Sequence, residues 1–275
     1  MNKKNRKEHT VLLLLCLVFL GIAVFSGYKV ISTLLEYREG EKIYSELQQH
    51  IQIPVPSTQP TQENPPTGPE GSIPTKPEST EPATEATKPS FVSPVDFDSL
   101  WAINPDVVGW IYIEGTKINY PIVQGSSNET YLYHLINGKY NRSGSIFMDY
   151  RNASDYSDQN TVIYGHHMAD GSMFADLVDY GSQSFFESHR TGFLFTPLRT
   201  YTLTFFAGYV TDVWDDAWQM SFSSDAEFSQ WIQDSIARSA FDSGVLPSVS
   251  QHIFTLSTCT YEYNNARFVL AAIME

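Results

Sequence analysis

Cysteine is almost absent: Cys16 and Cys259 are the only two in 275 residues. That excludes a disulfide framework and the multi-cysteine zinc sites. Basic charge is scarce as well. The 17 Lys+Arg face 31 Asp+Glu, a formal net charge of -14. Residues 95–275 carry most of that imbalance, with 21 Asp+Glu against 8 Lys+Arg. A surface this acidic excludes nucleic acid as a partner, because phosphate must be neutralised by Lys and Arg. No internal repeat and no His-x3-His helix motif occurs, so neither a metal site nor a cofactor is expected.

Charge is also missing from the run between Thr10 and Tyr28, which follows the basic cluster Lys3, Lys4, Arg6 and Lys7. Nineteen residues at about 1.5 Å rise reach about 28 Å, close to the hydrocarbon thickness of a bilayer. A cleaved signal peptide has a shorter apolar core and a small-residue cleavage site, and Ala-x-Ala is absent here. The expectation is an uncleaved anchor over 10–30 after a cytoplasmic basic tail over 1–9, with the rest of the chain outside the cell. A juxtamembrane helix is expected over 31–52. Cys16 then lies within the membrane as a small apolar residue.

Residues 53–94 change character. Ten prolines, from Pro54 to Pro89, alternate with Thr, Glu, Gln and Ser. Such a segment buries too little apolar surface to offset its ordering entropy, so a disordered linker is expected. As an extended chain it reads as a spacer that holds the following domain away from the membrane. A head beginning near Ser90 is expected to be soluble and active by itself.

Residues 95–275 read as one mainly β domain. Short β-rich runs fall at 108–113, 118–123, 144–148, 161–164, 192–196, 201–210, 253–258 and 268–273. Turn residues separate them. Helical patterns are fewer, at 96–101, 128–135, 172–178 and 225–241. The last carries Phe228, Trp231, Ile232 and Ile236 at helical spacing. Eight short strands with few helices point to a closed barrel or a sandwich.

The chemistry-bearing residues are few. Cys259 is the sole cysteine beyond the membrane run, and it ends a strand. It is either a nucleophile or a buried small hydrophobe. A thiolate needs a base or a cation beside it. Of His134, His166, His167, His189 and His252, the pair His166-His167 sits where an apolar strand ends, and adjacent side chains there diverge. Arg267 opens the strand after Cys259. A turn at Asn264-Asn265 folds that strand back and brings its guanidinium toward the sulfur.

These residues resemble a known family. Thr255-Leu256-Ser257-Thr258-Cys259 followed by Arg267 looks like the sortase TLxTC signature with its downstream arginine, and Gly165-His166 like the sortase Gly-His segment. Gly109-Trp110-Ile111, the stretch from Gly115 to Gln124, Gly144-Ser145-Ile146-Phe147-Met148-Asp149 and Gly165-His166-His167-Met168 are similar to class B sortases in particular, as is the long helix over 225–241. The resemblance implies an eight-stranded sortase-type β-barrel with a few helices, behind a transmembrane helix and a Pro-rich linker. It implies a membrane-anchored cysteine transpeptidase. The enzyme would cleave a C-terminal, NPQTN-like sorting motif of secreted proteins at Thr through a thioacyl intermediate. It would transfer them to a peptidoglycan amine, as on a lipid II-like precursor. Mapped by motif, Cys259 is the nucleophile, His166 the acid/base and Arg267 the stabiliser of oxyanion or substrate. Asn128, Leu132 and Ser257 fall where the peptide pocket is lined in class B enzymes, and Val213 and Trp218 would bound another wall. Thr260 follows the cysteine where relatives often carry an acid.

Two alternatives remain. Pilin-polymerising relatives typically add a lid motif and a second, C-terminal membrane helix, whereas this chain ends at Ile273-Met274-Glu275 directly after a strand. A tethered, non-enzymatic binding module is the other.

Overall fold

The computed structural model describes residues 3–52, 91–260 and 265–275. Helix α1, Lys3–Leu47, runs unbroken for 45 residues, about 68 Å at 1.5 Å per residue. Its side chains from Leu12 to Ile31 are exposed on all faces although most are Leu, Val, Phe or Ile. A helix that is apolar all round and uncovered by protein is long and apolar enough to cross a membrane.

The last turns of α1 pack on the domain that follows. Tyr44 and Leu47 are buried there. Tyr44 donates its hydroxyl to Gly144 O at 2.7 Å and meets the Tyr120 ring edge-on at 5.3 Å. Asn141 Nδ2 donates to Glu36 O, and Glu39 and Glu36 pair with Lys139 and Arg142. The chain then bridges directly to residues beyond the Pro-rich segment. Ile51 pairs antiparallel with Val95, Gln52 N donates to Pro94 O, and Asp96 N donates to His50 O, both at 2.8 Å. Of the linker expected over 53–94, residues 53–90 lie outside the described residues. Its two flanks are hydrogen-bonded neighbours, so its length does not set the distance from α1 to the barrel. The spacer reading is corrected on that ground.

Helix α2, Phe97–Ile103, opens on Asp96, whose side chain accepts from Ser99 N. Eight strands follow: β1 Val107–Tyr112, β2 Asn119–Val123, β3 Ile146–Met148, β4 Asn160–Tyr164, β5 Thr191–Phe195, β6 Thr200–Asp212, β7 His252–Cys259 and β8 Ala266–Met274. They close into a barrel in the order β1-β2-β3-β4-β7-β8-β6-β5. Every neighbouring pair is antiparallel except β2/β3 and β4/β7. All eight strands match the runs read from sequence within a few residues.

β8 is buried nearly end to end because it serves two cores. Phe268, Leu270 and Ala272 point into the barrel, and Val269, Ala271 and Ile273 point out. The outer core is covered by helix α4, Asp225–Arg238, through Phe228, Trp231 and Ile232. Ser224 caps α4 by accepting from Glu227 N. α4 stops short of the expected 241 because Phe241 leaves it to stack on Phe186 at 4.1 Å. The helix expected at 128–135 is a set of turns instead. Its backbone hydrogen-bonds across the fold, as from Ser145 N to Tyr131 O, and Asn128 turns its side chain to tertiary partners. The segment expected at 172–178 forms 3-10 turns over Ala175–Gly181, and a short helix α3, Gln183–Ser188, had no distinct signal.

The docking of α1 changes what a minimal head should contain. A chain truncated to begin at Phe91 uncovers the surface beneath Tyr44 and Leu47. It should unfold at a lower temperature than one beginning at Ile31. Tyr44→Phe, which strands the Gly144 carbonyl, should cost about 1–2 kcal/mol in urea unfolding of the longer chain. Equal melting temperatures for the two truncations would show that the contact adds nothing.

Candidate active site

β4 and β7 run parallel, with Tyr164 opposite Ser257. Their C-terminal ends therefore emerge at one end of the barrel. β8 returns antiparallel beside β7 and sets Arg267 directly opposite Cys259. Of the turn between them Asn265 is described, in the left-handed region at φ 64°; Asn264, expected to share that turn, lies outside the described residues. Ile253 on β7 and Val269, Ala271 and Ile273 on β8 belong to the outer core. By alternation Ser257, Cys259 and Arg267 share that outward row, beyond the reach of α4.

β4 leads into Gly165 and His166. Gly165 is held on both sides by β7: its N–H donates to Ser257 O at 3.1 Å, and its carbonyl accepts from Thr258 Oγ1 at 2.8 Å. A Cβ at Gly165 would sit 2.5 Å from Ile146 Cδ1 and 2.7 Å from the Phe174 ring. Only glycine fits there.

A cavity of about 660 Å³ opens at this end of the barrel. His166, Cys259 and Arg267 all line it. So do Asn128 and Leu132 from the β2–β3 connection, Ser257 from β7, and Val213 and Trp218 from the segment after β6. Every site residue read from sequence is thus brought to one cavity. The walls also hold Tyr164, Arg151 and the acids Glu129, Asp215 and Asp216, which sequence reasoning missed. For Tyr164 a signal existed, since it sits on the strand two residues before His166.

His166 Nε2 lies 2.7 Å from Leu132 O. A carbonyl only accepts, so Nε2 carries the hydrogen and Nδ1 is left to exchange protons. The ring also packs against Tyr133 at 5.5 Å. Burial lowers the His166 pKa below its ordinary 6.5, the Leu132 contact partly opposes this, and the positive charge of Arg267 lowers it further. His167 turns away from His166 and places Nδ1 3.1 Å from Cys259 O, where it bonds the backbone at the end of β7.

Behind one wall lies Asp149, fully buried. It receives Arg151 through Nε at 3.0 Å and Nη2 at 2.9 Å, Asn128 Nδ2 at 3.0 Å and the Tyr164 hydroxyl at 3.0 Å. Burial pushes its carboxyl up, but the hydrogen bonds from Arg151 and Asn128 outweigh that and hold it below its ordinary range. On the opposite wall Arg238 grips Asp215 at 2.6 Å and Asp216 at 3.4 Å. Among the described residues no group of three or more acids, histidines or cysteines is placed to hold a metal ion.

The sortase domain family matches residues 111–275. Sortase B of Staphylococcus aureus (strain NCTC 8325 / PS 47) is 33% identical over 253 residues, 91% of each chain. Sortase B of Listeria monocytogenes serovar 1/2a is 40% identical over 173 residues, 62% of this chain and 70% of the relative. Sortase B from B. anthracis, solved in complex with AAEK1, superposes with a TM-score of 0.68 at 31% identity, covering 88% of this chain and 98% of that one. The S. aureus enzyme, solved as a substrate complex and with triglycine, superposes at 0.62 with 38% identity over 65% of this chain and 84% and 85% of those chains. A passive binding module is excluded by this kinship, and the closed eight-stranded barrel agrees with it. The chain belongs to the sortase family, as a class B sortase, a cysteine transpeptidase.

Proposed function

We propose that this sortase is held in the membrane by the apolar part of α1, N-terminus in the cytoplasm, and joins secreted proteins to peptidoglycan outside the cell. The observation that carries the reaction is the placement of Cys259 across from Arg267 in one cavity with His166. The Cys259 thiolate attacks the carbonyl carbon of the threonine in a C-terminal, NPQTN-like sorting motif. Arg267 donates hydrogen bonds to the oxygen that gains charge. The His166 imidazolium gives its Nδ1 proton to the departing amine, the C–N bond breaks, and a thioester joins Sγ to the threonine carbonyl. A peptidoglycan-precursor amine, as on a lipid II-like acceptor, then loses a proton to neutral His166 and attacks that carbonyl. The C–S bond breaks, and thiolate and imidazolium are restored. Trp218 Nε1–H, buried without an acceptor among the described residues, is a donor for the bound peptide. The substrate and triglycine complexes of the S. aureus relative support a peptide donor and an amine acceptor at such a site.

The low His166 pKa has a consequence. At pH 7 a group that titrates below 6.5 is mostly neutral, so the imidazolium partner of the thiolate is a minority and turnover is slow. In an NMR titration His166 should ionise below 6.5. Arg267→Gln removes a positive charge that disfavours imidazolium, so it should raise that value while leaving the burial contribution in place. A fall, or no change, would contradict the electrostatic assignment.

Incubation of the enzyme with a sorting peptide should give a mass increase on Cys259 equal to the peptide up to its threonine. Cys259→Ala should abolish both the adduct and cleavage. His166→Ala should cost about 100-fold or more in kcat, and His167→Ala much less. Arg267→Lys should be strongly impaired, since an ammonium keeps the charge without the planar fork. Cleavage by Cys259→Ala at near the wild-type rate would defeat the mechanism.

A further inference from the structure

The proposed mechanism does not use Asp149, yet this carboxylate is among the most heavily bonded side chains in the protein. Its Oδ1 accepts from Arg151 N and Arg151 Nε, both at 3.0 Å. Its Oδ2 accepts from Asn128 Nδ2, the Tyr164 hydroxyl and Arg151 Nη2. Five donors on two oxygens exceed the four lone-pair sites of a carboxylate, so neither oxygen has room for substrate. The three side chains it binds come from separate stretches of chain: the β2–β3 connection, the segment after β3, and the end of β4. All three line the cavity that holds Cys259 and His166.

The backbone around Asp149 is fixed too. Its N–H donates to Val162 O on β4 at 2.9 Å, and its carbonyl accepts from Gln124 Nε2 at 3.0 Å. Asn128 is held at both ends of its amide, since Oδ1 accepts from Tyr150 N at 3.0 Å. One N–H of Asn128 Nδ2 is left over for a ligand. The Tyr164 hydroxyl donates inward to Asp149, which fixes its ring against the cavity. Arg151 is bound as a bidentate fork although its side chain is 51% exposed, so a flexible surface arginine is held to one pose.

We propose that Asp149 is a positioning residue, a buried carboxylate that locks Asn128, Tyr164 and Arg151 into one rigid wall of the peptide cavity and so sets affinity for the sorting peptide without touching the reacting atoms. This rests on the reading of that cavity as the peptide site. A neutral isostere cannot substitute. Asn at 149 would turn one acceptor oxygen into a donor facing donors it cannot bind, and would leave the Arg151 guanidinium without its counter-charge.

The test separates binding from chemistry. Steady-state kcat and KM for a sorting peptide would be measured with Asp149→Asn, Asn128→Ala and Tyr164→Phe. In parallel the alkylation rate of Cys259 by iodoacetamide, a reagent too small to need the peptide wall, would be followed. Asp149→Asn should raise KM about tenfold or more, with kcat and the alkylation rate within about twofold of wild type. Tyr164→Phe, which deletes one donor and keeps the ring, should raise KM less. Adding Asn128→Ala to Asp149→Asn should cost less than the two single effects combined, because both act through one unit. If Asn128→Ala and Tyr164→Phe raise KM while Asp149→Asn does not, the positioning role is overturned and the peptide-site reading survives. If none of the three changes KM, the peptide-site reading falls and the proposal with it. If Asp149→Asn lowers kcat and slows alkylation at unchanged KM, the residue acts on the thiol and the proposal is wrong. Should Asp149→Asn fail to fold, Tyr164→Phe and the Asn128→Ala/Tyr164→Phe pair decide: additive KM effects contradict a locked wall, and subadditive ones support it.

Discussion

The parallel pairing of β4 with β7 is what the site depends on. A parallel pair sends both C-terminal ends to the same edge of the sheet, so the His166 exit and the Cys259 terminus meet although 93 residues of chain separate them. The antiparallel return of β8 then places Arg267 across from the sulfur. Gly165 makes the meeting tight, because its missing side chain lets β4 leave between Ile146 and Phe174. Three side chains with little individual meaning acquire a common chemistry through backbone pairing, before any side-chain contact is considered.

The same alternation gives the domain its second layer. Outward residues of β6, β7 and β8 are apolar where α4 covers them and polar beyond it, at Ser257, Cys259 and Arg267. The cavity is the uncovered continuation of a packed face. Its floor is therefore rigid, while its walls come from connections: the β2–β3 segment with Asn128 and Leu132, and the stretch after β6 with Val213 and Trp218. Those walls need their own anchors, and the buried Asp149 and the Arg238 pair with Asp215 supply them.

Strand positions were legible because the barrel's pattern is local: apolar runs between turn residues survive without knowledge of partners. The reacting trio was legible because a solitary cysteine, a strand-exit histidine and a following arginine stand in a recognisable order. Residues 128–135 were misread because helical spacing of Leu132 and Leu135 arises there from two separate tertiary contacts, and Asn128 bonds outward rather than along the chain. Asp149 and Arg151 were invisible for a related reason. A buried carboxylate and an exposed one have the same letter, and only the fold brings Tyr164 and Asn128 to it. The Pro-rich segment misled in a different way. Composition speaks to the chain's local stiffness, but the hydrogen bonds of Gln52 with Pro94 and of Asp96 with His50 decide where its ends lie. The catalytic domain is carried on α1 itself.

A structure of the enzyme trapped as its thioester with a sorting peptide tests the arrangement most directly. The account predicts the threonine carbonyl on Cys259 Sγ with its oxygen within hydrogen-bonding distance of the Arg267 guanidinium, His166 Nδ1 facing the scissile side, and the peptide running along Asn128, Leu132 and Tyr164. A thioester whose oxygen points away from Arg267, with the peptide leaving along another face of the barrel, would contradict it.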